Sequence, residues 1–250
     1  MQFDLSAVAC RPQSDLCFVH VCDTHITDEE SARIVADAAE AINQVRPDFV
    51  VFGGDLANHG AVECYEALKG ATRRIDAPVH YIIGNHDFLG GKDTFAGMLG
   101  PLNYAFDTGA YHIICLDSTG RTSLTWEGLF SGRTVAWLER HLTTVDEGQP
   151  IILLCHHGLW SREPHSPKAN LLWDVLNYKP IHAALRPHDV VLGCFGHAHQ
   201  NAMQHWDGAT LLWSGVLSTV RANHDGLPVG FRVVWVRDRS VQTAWVPVVD

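Results

Sequence analysis

Residues 81–91 read YIIGNHDFLGG. Val79, Tyr81, Ile82 and Ile83 are β-branched, aromatic or aliphatic, the material of a strand covered on both faces. The run stops at Gly84, where Asn85, His86 and Asp87 stand side by side before Gly90 and Gly91. An amide, an imidazole and a carboxylate at the point where a core strand surfaces can be a turn, because Asn, Asp and Gly favour turns. They can equally be a site. The rest of the chain decides.

Outward from this strand the same event recurs. An apolar run at 16–22 leads into VCDTH, with Asp23 and His25, and one at 48–52 leads into VFGGDLANH, with Asp55, Asn58 and His59. Residues 151–155 lead into LCHHG, with His156 and His157, and 190–195 into CFGHAH, with His197 and His199. Helical patterns lie between. Thr27-x-x-Glu30 reads as a capping box opening a helix that carries Ile34, Val35, Ala38, Ile42 and Val45 on one face and closes at Pro47. Further helices are expected near 61–74 and 133–145, and a hairpin over 104–108 and 111–116. Residues 157–189 read as a loop with one or two short helices, and 209–217, 230–236 and 241–248 as antiparallel strands. Alternation of strand and helix predicts an α/β fold with a parallel core. No linker, repeat or low-complexity segment interrupts it, so residues 1–250 are expected to form a single domain.

The spacing adds meaning. Asp23 to Asp55 is 32 residues and Asp55 to Asn85 is 30, each the length of one strand–helix–strand unit. Right-handed crossovers bring the carboxyl ends of successive parallel strands to one edge of a sheet, where open α/β sheets bind ligands. The donors that converge there are Asp23, His25, Asp55, Asn85, His156, His197 and His199. His197 and His199, two residues apart, would point the same way from an extended strand. An oxygen and imidazole set without thiolate suits Zn, Mn or Fe. Seven ligands exceed one ion, whereas two ions sharing a carboxylate would use them all. Such a pair is the arrangement that clamps attacking and leaving oxygens in displacement at phosphorus.

CDTH, GGDLANHG, GNHD, CHHG and GHAH, in that order over residues 23–199, resemble the calcineurin-like metallophosphoesterase superfamily. GNHD and the compact length are similar to its class III cyclic-nucleotide and glycerophosphodiester phosphodiesterases. The resemblance implies a four-layer α-β-β-α sandwich of two mixed sheets with flanking helices. It places Asp23, His25, Asp55 and His199 on one metal ion and Asp55, Asn85, His156 and His197 on the other. It also places His86 beside the metals as the catalytic residue that meets the leaving group or a phosphoryl oxygen. Family members often read His-His-Pro where this chain has His156-His157-Gly158, which frees the loop that follows. The roles of His59, Asp87 and His157 stay open between support of the ligands and ordinary loop positions.

Composition bounds the function. A net charge of −10, with Arg73-Arg74 the richest basic pair, argues against stable nucleic-acid binding and so against a nuclease. No apolar segment approaches the roughly 18 residues of a membrane span. The first sixteen residues, with Asp4 and no basic or apolar region, do not read as a secretory signal. Seven scattered cysteines, without a CxxC pair, read as buried thiols, and the cytoplasm is the expected compartment. The expected partner is a small phosphodiester or nucleotide, with a homodimer left open.

The expected activity is therefore hydrolysis of a phosphodiester, by a hydroxide bridging two divalent or mixed-valence ions. A phosphomonoesterase or nucleotide pyrophosphatase using the same site is the alternative, and a non-catalytic scaffold the rival from another class. Two divalent ions against Asp23 and Asp55 leave a local charge of about +2, which attracts phosphate to an acidic protein. Selectivity is expected in the segments leaving this edge, 88–100, where glycines suggest mobility, and 157–180, with Trp160, Arg162, His165 and Trp173.

Overall fold

The computed structural model describes residues 1–10, 12–120, 126–159 and 175–249. Two six-stranded mixed sheets carry the described chain. The first runs in the order β1 (Gln2–Phe3), β12 (Ser240–Val249), β11 (Gly230–Arg237), β2 (Leu16–Val21), β3 (Phe49–Phe52) and β4 (Val79–Tyr81). The second runs β5 (Tyr104–Thr108), β6 (Tyr111–Leu116), β7 (Ile151–Cys155), β8 (Val190–Phe195), β10 (Ala209–Trp213) and β9 (Ala202–Trp206). β2, β3 and β4 are parallel, as are β6, β7, β8 and β10.

Side-chain alternation along each central strand builds the layers. Phe18, Phe49 and Val51 of the first sheet meet Ile113, Cys115, Ile152, Leu154 and Leu192 of the second in one buried cluster between the sheets. The neighbouring residues, Val19, Val21, Val50 and Phe52, face the other way. They pack with Ile34, Val35, Ala38 and Ile42 of α1 (Arg33–Val45) and with Tyr65 and Leu68 of α2 (Val62–Thr72). Ile114, Leu116 and Leu153 likewise receive Leu138 and Leu142 of α5 (Gly132–Leu142) and Ile181 and Leu185 of α6 (Lys179–Leu185). This is the α-β-β-α sandwich that the motifs implied. No helix among the described residues is long and apolar enough to cross a membrane.

Four local expectations need correction. The Thr27-x-x-Glu30 box does not form. Ser31 Oγ instead accepts from the amides of Thr27 (2.9 Å) and Asp28 (3.0 Å), and Asp28 Oδ1 accepts from Ser31 N (2.7 Å). This reciprocal turn satisfies the local amides and delays α1 to Arg33. Second, β4 is an edge strand whose residues are half-buried, and its backbone is covered by Tyr104, which donates its hydroxyl to Tyr81 O at 2.9 Å. Third, GNHD opens a short helix, α3 (Asn85–Phe88), followed by α4 (Lys92–Leu99), rather than a turn alone. Last, the tail is not wholly antiparallel. β10 pairs parallel with β8 and antiparallel with β9, whose exposed Met203, Gln204 and His205 give no apolar alternation to read.

Candidate metal centre

The expected donors all follow strand ends on one edge. Asp23 and His25 follow β2, Asp55 follows β3, Asn85 and His86 follow β4, His156 follows β7, and His197 and His199 follow β8. Their backbone is unusual. Among the described residues, eight non-glycine residues have positive φ, and five of them are Asp23 (54°), His25 (45°), Asp55 (52°), His197 (62°) and His199 (48°). The other three, Arg46 at the end of α1 and Asp207 and Asp238 in hairpin turns, occupy ordinary places for that conformation. Left-handed backbone at a non-glycine residue is uncommon, and its concentration on one edge marks a site held by its surroundings. The ladder supplies that hold: Asp23 N donates to Gly54 O (3.0 Å), His25 N to Asp55 O (2.9 Å) and His197 N to Asp23 Oδ2 (3.1 Å).

Two sets of candidate ligand atoms lie close together, and His86 (with His25 and Asp55) and His157 (with His156 and His197) converge on them as well. In one, His199 Nε2 lies 3.3 Å from Asp23 Oδ1 and 3.2 Å from His25 Nε2. In the other, His156 Nε2 lies 3.2 Å from Asn85 Oδ1, and the His197 ring stands 5.1 Å from that of His156. Asp55 belongs to both. Its Oδ1 is 3.3 Å from His156 Nε2, and its Oδ2 is 3.7 Å from His25 Nε2. Asp55 is further fixed by His86 N, which donates to Oδ1 at 2.8 Å. Gly84 permits this approach, because a Cβ there would collide with Asp55. His197 and His199 do not point the same way from a strand. β8 ends at Phe195, and the left-handed residues beyond it send the two imidazoles to opposite groups.

Lone pairs converging in a buried space call for positive charge, and the side-chain electrostatics agree. Burial disfavours an imidazolium at His156, yet Asp55 and Asp23 overcome it and raise that residue to about 9. Burial would likewise raise Asp55, but His156 and His25 hold it well below the usual carboxylate range. His25 is driven down to about 4 by burial, against the pull of Asp55 and Asp23, which leaves a neutral ring able to ligate. The donor types, the burial and the convergence all fit divalent cations.

The three undecided residues resolve differently. Asp87 is fully buried, and its hydrogen bonds go to backbone amides and to Tyr65. Its carboxylate accepts from Leu56 N (3.1 Å), Ala57 N (2.9 Å), Gly84 N (2.9 Å) and Tyr65 Oη (3.2 Å), so it ties the turn after β3 to α3. Asp87→Ala would leave three buried amides without an acceptor. At about 1–3 kcal/mol per unsatisfied group, a loss of several kcal/mol is expected, read as a lower midpoint in urea unfolding with unchanged slope. A variant as stable as the wild type would show that water replaces the carboxylate. His157 is buried, with Nδ1 2.9 Å from Ser118 Oγ, and Gly128 crosses directly over it. His59 is exposed.

The donors open into a cleft of about 400 Å³ lined by Asp55, Asn85, His86, Trp126, His197, His199, Arg221 and His224. A much smaller cavity lies beside Val190, at the opposite end of β8. Trp126, Arg221 and His224 escaped the sequence reading, because nothing in LTWEGL or TVRANHDG marks those positions as facing the donors. The 88–100 segment does not line the cleft. It is mostly helix α4, anchored by buried Phe95, and Gly90 is there because Gly60 packs against its backbone. Trp160, Arg162, His165 and Trp173 lie outside the described residues.

The calcineurin-like phosphoesterase family model matches residues 17–201, a span that holds every donor named above. The chain belongs to that family. It is 28% identical over 222 residues to the glycerophosphodiester phosphodiesterase GpdQ of Enterobacter lignolyticus, covering 78% of this chain and 75% of that protein. It is also 28% identical over 211 residues to the 3',5'-cyclic adenosine monophosphate phosphodiesterase CpdA of Escherichia coli, covering 78% and 73%. Among solved structures, a dimetal phosphatase from Danio rerio superposes with a TM-score of 0.75 over 95% of this chain and 98% of its own, at 16% identity. That likeness is one of fold.

Proposed function

We propose that the protein hydrolyses small phosphodiesters at a centre of two metal ions. The observation that carries the reading is Asp55, a buried carboxylate that turns one oxygen toward His156 and the other toward His25. Asp23, His25, His199 and Asp55 would hold one ion, and Asp55, Asn85, His156 and His197 the other. Bound ions of the Mn, Fe or Zn class would supply an ionised water at neutral pH and neutralise charge on the phosphoryl oxygens.

The chain's own residues supply the rest. His86 sits at the cleft wall with Nδ1 2.8 Å from the carbonyl of Asn58, so that nitrogen carries a proton and donates it. The Nε2 end is left for the cleft. The ionised water, its proton shed to solvent, adds to phosphorus, the bond to the leaving oxygen breaks, and the role assigned to His86 is to give its Nε2 proton to that oxygen and regain one from solvent. The negative potential of the whole chain, at −10, is offset locally by the cations that these donors attract. Relatives named as glycerophosphodiester and cyclic-nucleotide phosphodiesterases support a small diester as substrate.

The test is turnover of bis(4-nitrophenyl) phosphate before and after dialysis against a chelator. Activity is expected to vanish with the metal and to return when Mn²⁺ is added. Turnover that persists in the metal-free protein, or none between about pH 6 and 9 with metal present, would overturn the reading.

A further inference from the structure

We infer that Arg221 and Trp126 form a subsite for the leaving group, and that the preferred substrate is nucleotide-like and carries a second phosphate on the departing half. The inference rests on the phosphodiesterase reading and deepens it. Trp126 adjoins His86, the group assigned to the leaving oxygen, and Arg221 is linked to it through Asn58. The Trp126 ring centroid is 5.4 Å from that of His86. Arg221 Nη2 donates to Asn58 Oδ1 at 3.2 Å, and the carbonyl of the same Asn58 is the partner of His86 Nδ1. One side of the cleft therefore presents an indole and a guanidinium next to the proton donor.

The chemistry of the pair selects a class of ligand. Arg221 is tethered by a neutral amide, so the tether orients its fork without cancelling its charge. A guanidinium in that state binds phosphate oxygens in pairs. Trp126 is 56% exposed, and a flat apolar face of that size beside a polar site suits a nucleobase. The cleft, at about 400 Å³, exceeds what one phosphoryl group fills and lies in the range of small-molecule sites.

Both supports are fixed. The chain around Arg221 is pinned by Val220 N to Ser218 Oγ (3.2 Å), Val216 N to Asn223 Oδ1 (2.8 Å) and His224 N to His199 O (2.6 Å). Trp126 lies two residues before Gly128, which is seated against His157. Arg221 hence travels with the His199 strand end, and Trp126 with the His156–His157 strand end. A substituent held between them is held relative to the donors.

The experiment titrates the Mn²⁺-loaded protein calorimetrically with AMP, ADP and inorganic phosphate, for the wild type, R221A, R221K and W126A. Wild type is expected to bind ADP at least tenfold more tightly than AMP. R221A should abolish that preference, R221K should restore part of it, and W126A should weaken both nucleotides about tenfold relative to inorganic phosphate. An ADP-to-AMP ratio unchanged by R221A overturns the subsite, as does a wild type without preference. Hydrolysis of bis(4-nitrophenyl) phosphate, measured on the same samples, separates the two failures. If the wild type turns it over but the ratio ignores Arg221, the subsite fails and the phosphodiesterase reading stands. If the wild type shows no metal-dependent turnover, that reading fails, and the nucleotide ratio in the protein as purified still decides the subsite.

Discussion

Asp55→Asn is expected to reduce phosphodiester turnover by ~10⁴-fold or more, in the range seen when a central catalytic group is removed, and to strip metal from the protein. Asparagine keeps the shape. Its side-chain oxygen can still accept from His86 N, which now donates to Asp55 Oδ1 at 2.8 Å, so α3 should stay docked and the fold intact. What it loses is the charge and one of two oxygen donors. Asp55 Oδ1 and Oδ2 serve different neighbours, His156 at 3.3 Å and His25 at 3.7 Å, so one substitution damages both groups of ligands at once. An amide nitrogen cannot replace the second oxygen, because it has no lone pair to offer a cation. Metal content per chain by mass spectrometry, beside a melting curve, reads the outcome. A folded Asp55→Asn protein with two ions and normal turnover would sink the shared-carboxylate assignment.

The same residue shows how far the sequence could be read. Asp55 was visible because it follows an apolar run and lies one strand–helix–strand unit from both Asp23 and Asn85. The hydrophobic runs at 111–116, 151–155 and 190–195 end where β6, β7 and β8 end, since strands buried on both faces leave little latitude. Polar residues placed just beyond such runs can only stand at the sheet edge, and that made the donor set legible. The backbone of those residues was not. Five left-handed residues, none of them glycine, violate local preference, and only tertiary contacts such as His25 N to Asp55 O hold them there. Extended geometry therefore predicted parallel directions for His197 and His199, whereas the left-handed backbone beyond β8 sends them apart.

The cleft wall was hidden for a different reason. Trp126 and Arg221 reach His86 through loops that carry no period, across separations of 40 residues and more. Glycine misled in the opposite sense. Gly90 looked like a sign of mobility, whereas it permits the close approach of Gly60, a packing role that leaves no signature in sequence. Asp87, adjacent to His86, proved to be a clamp on backbone amides, so proximity to the motif did not imply contact with the substrate.

His86→Ala, by contrast with Asp55→Asn, is expected to keep both metal ions and lose turnover by about 10²–10⁴-fold, the usual contribution of a general acid. The ring is buried at 8% exposure and stands edge-on to His25 with centroids 4.6 Å apart; it adjoins the donor atoms of His25 and Asp55, but its Nδ1 is held by the Asn58 carbonyl. Its backbone amide, which holds Asp55, survives the substitution. The Asn58 carbonyl loses its imidazole partner, but the space the ring vacates opens to the cleft that His86 lines, so water can replace it. The size of the loss should depend on the leaving group. A 4-nitrophenolate departs without help, so diesters of that kind should suffer least, whereas alkyl or sugar alcohols need a proton and should suffer most. Rates for an aryl and an alkyl leaving group on the same phosphoryl centre, compared between wild type and His86→Ala, measure the difference. Equal losses for both would place His86 on a non-bridging oxygen instead, and a variant that purifies without metal would make it a ligand.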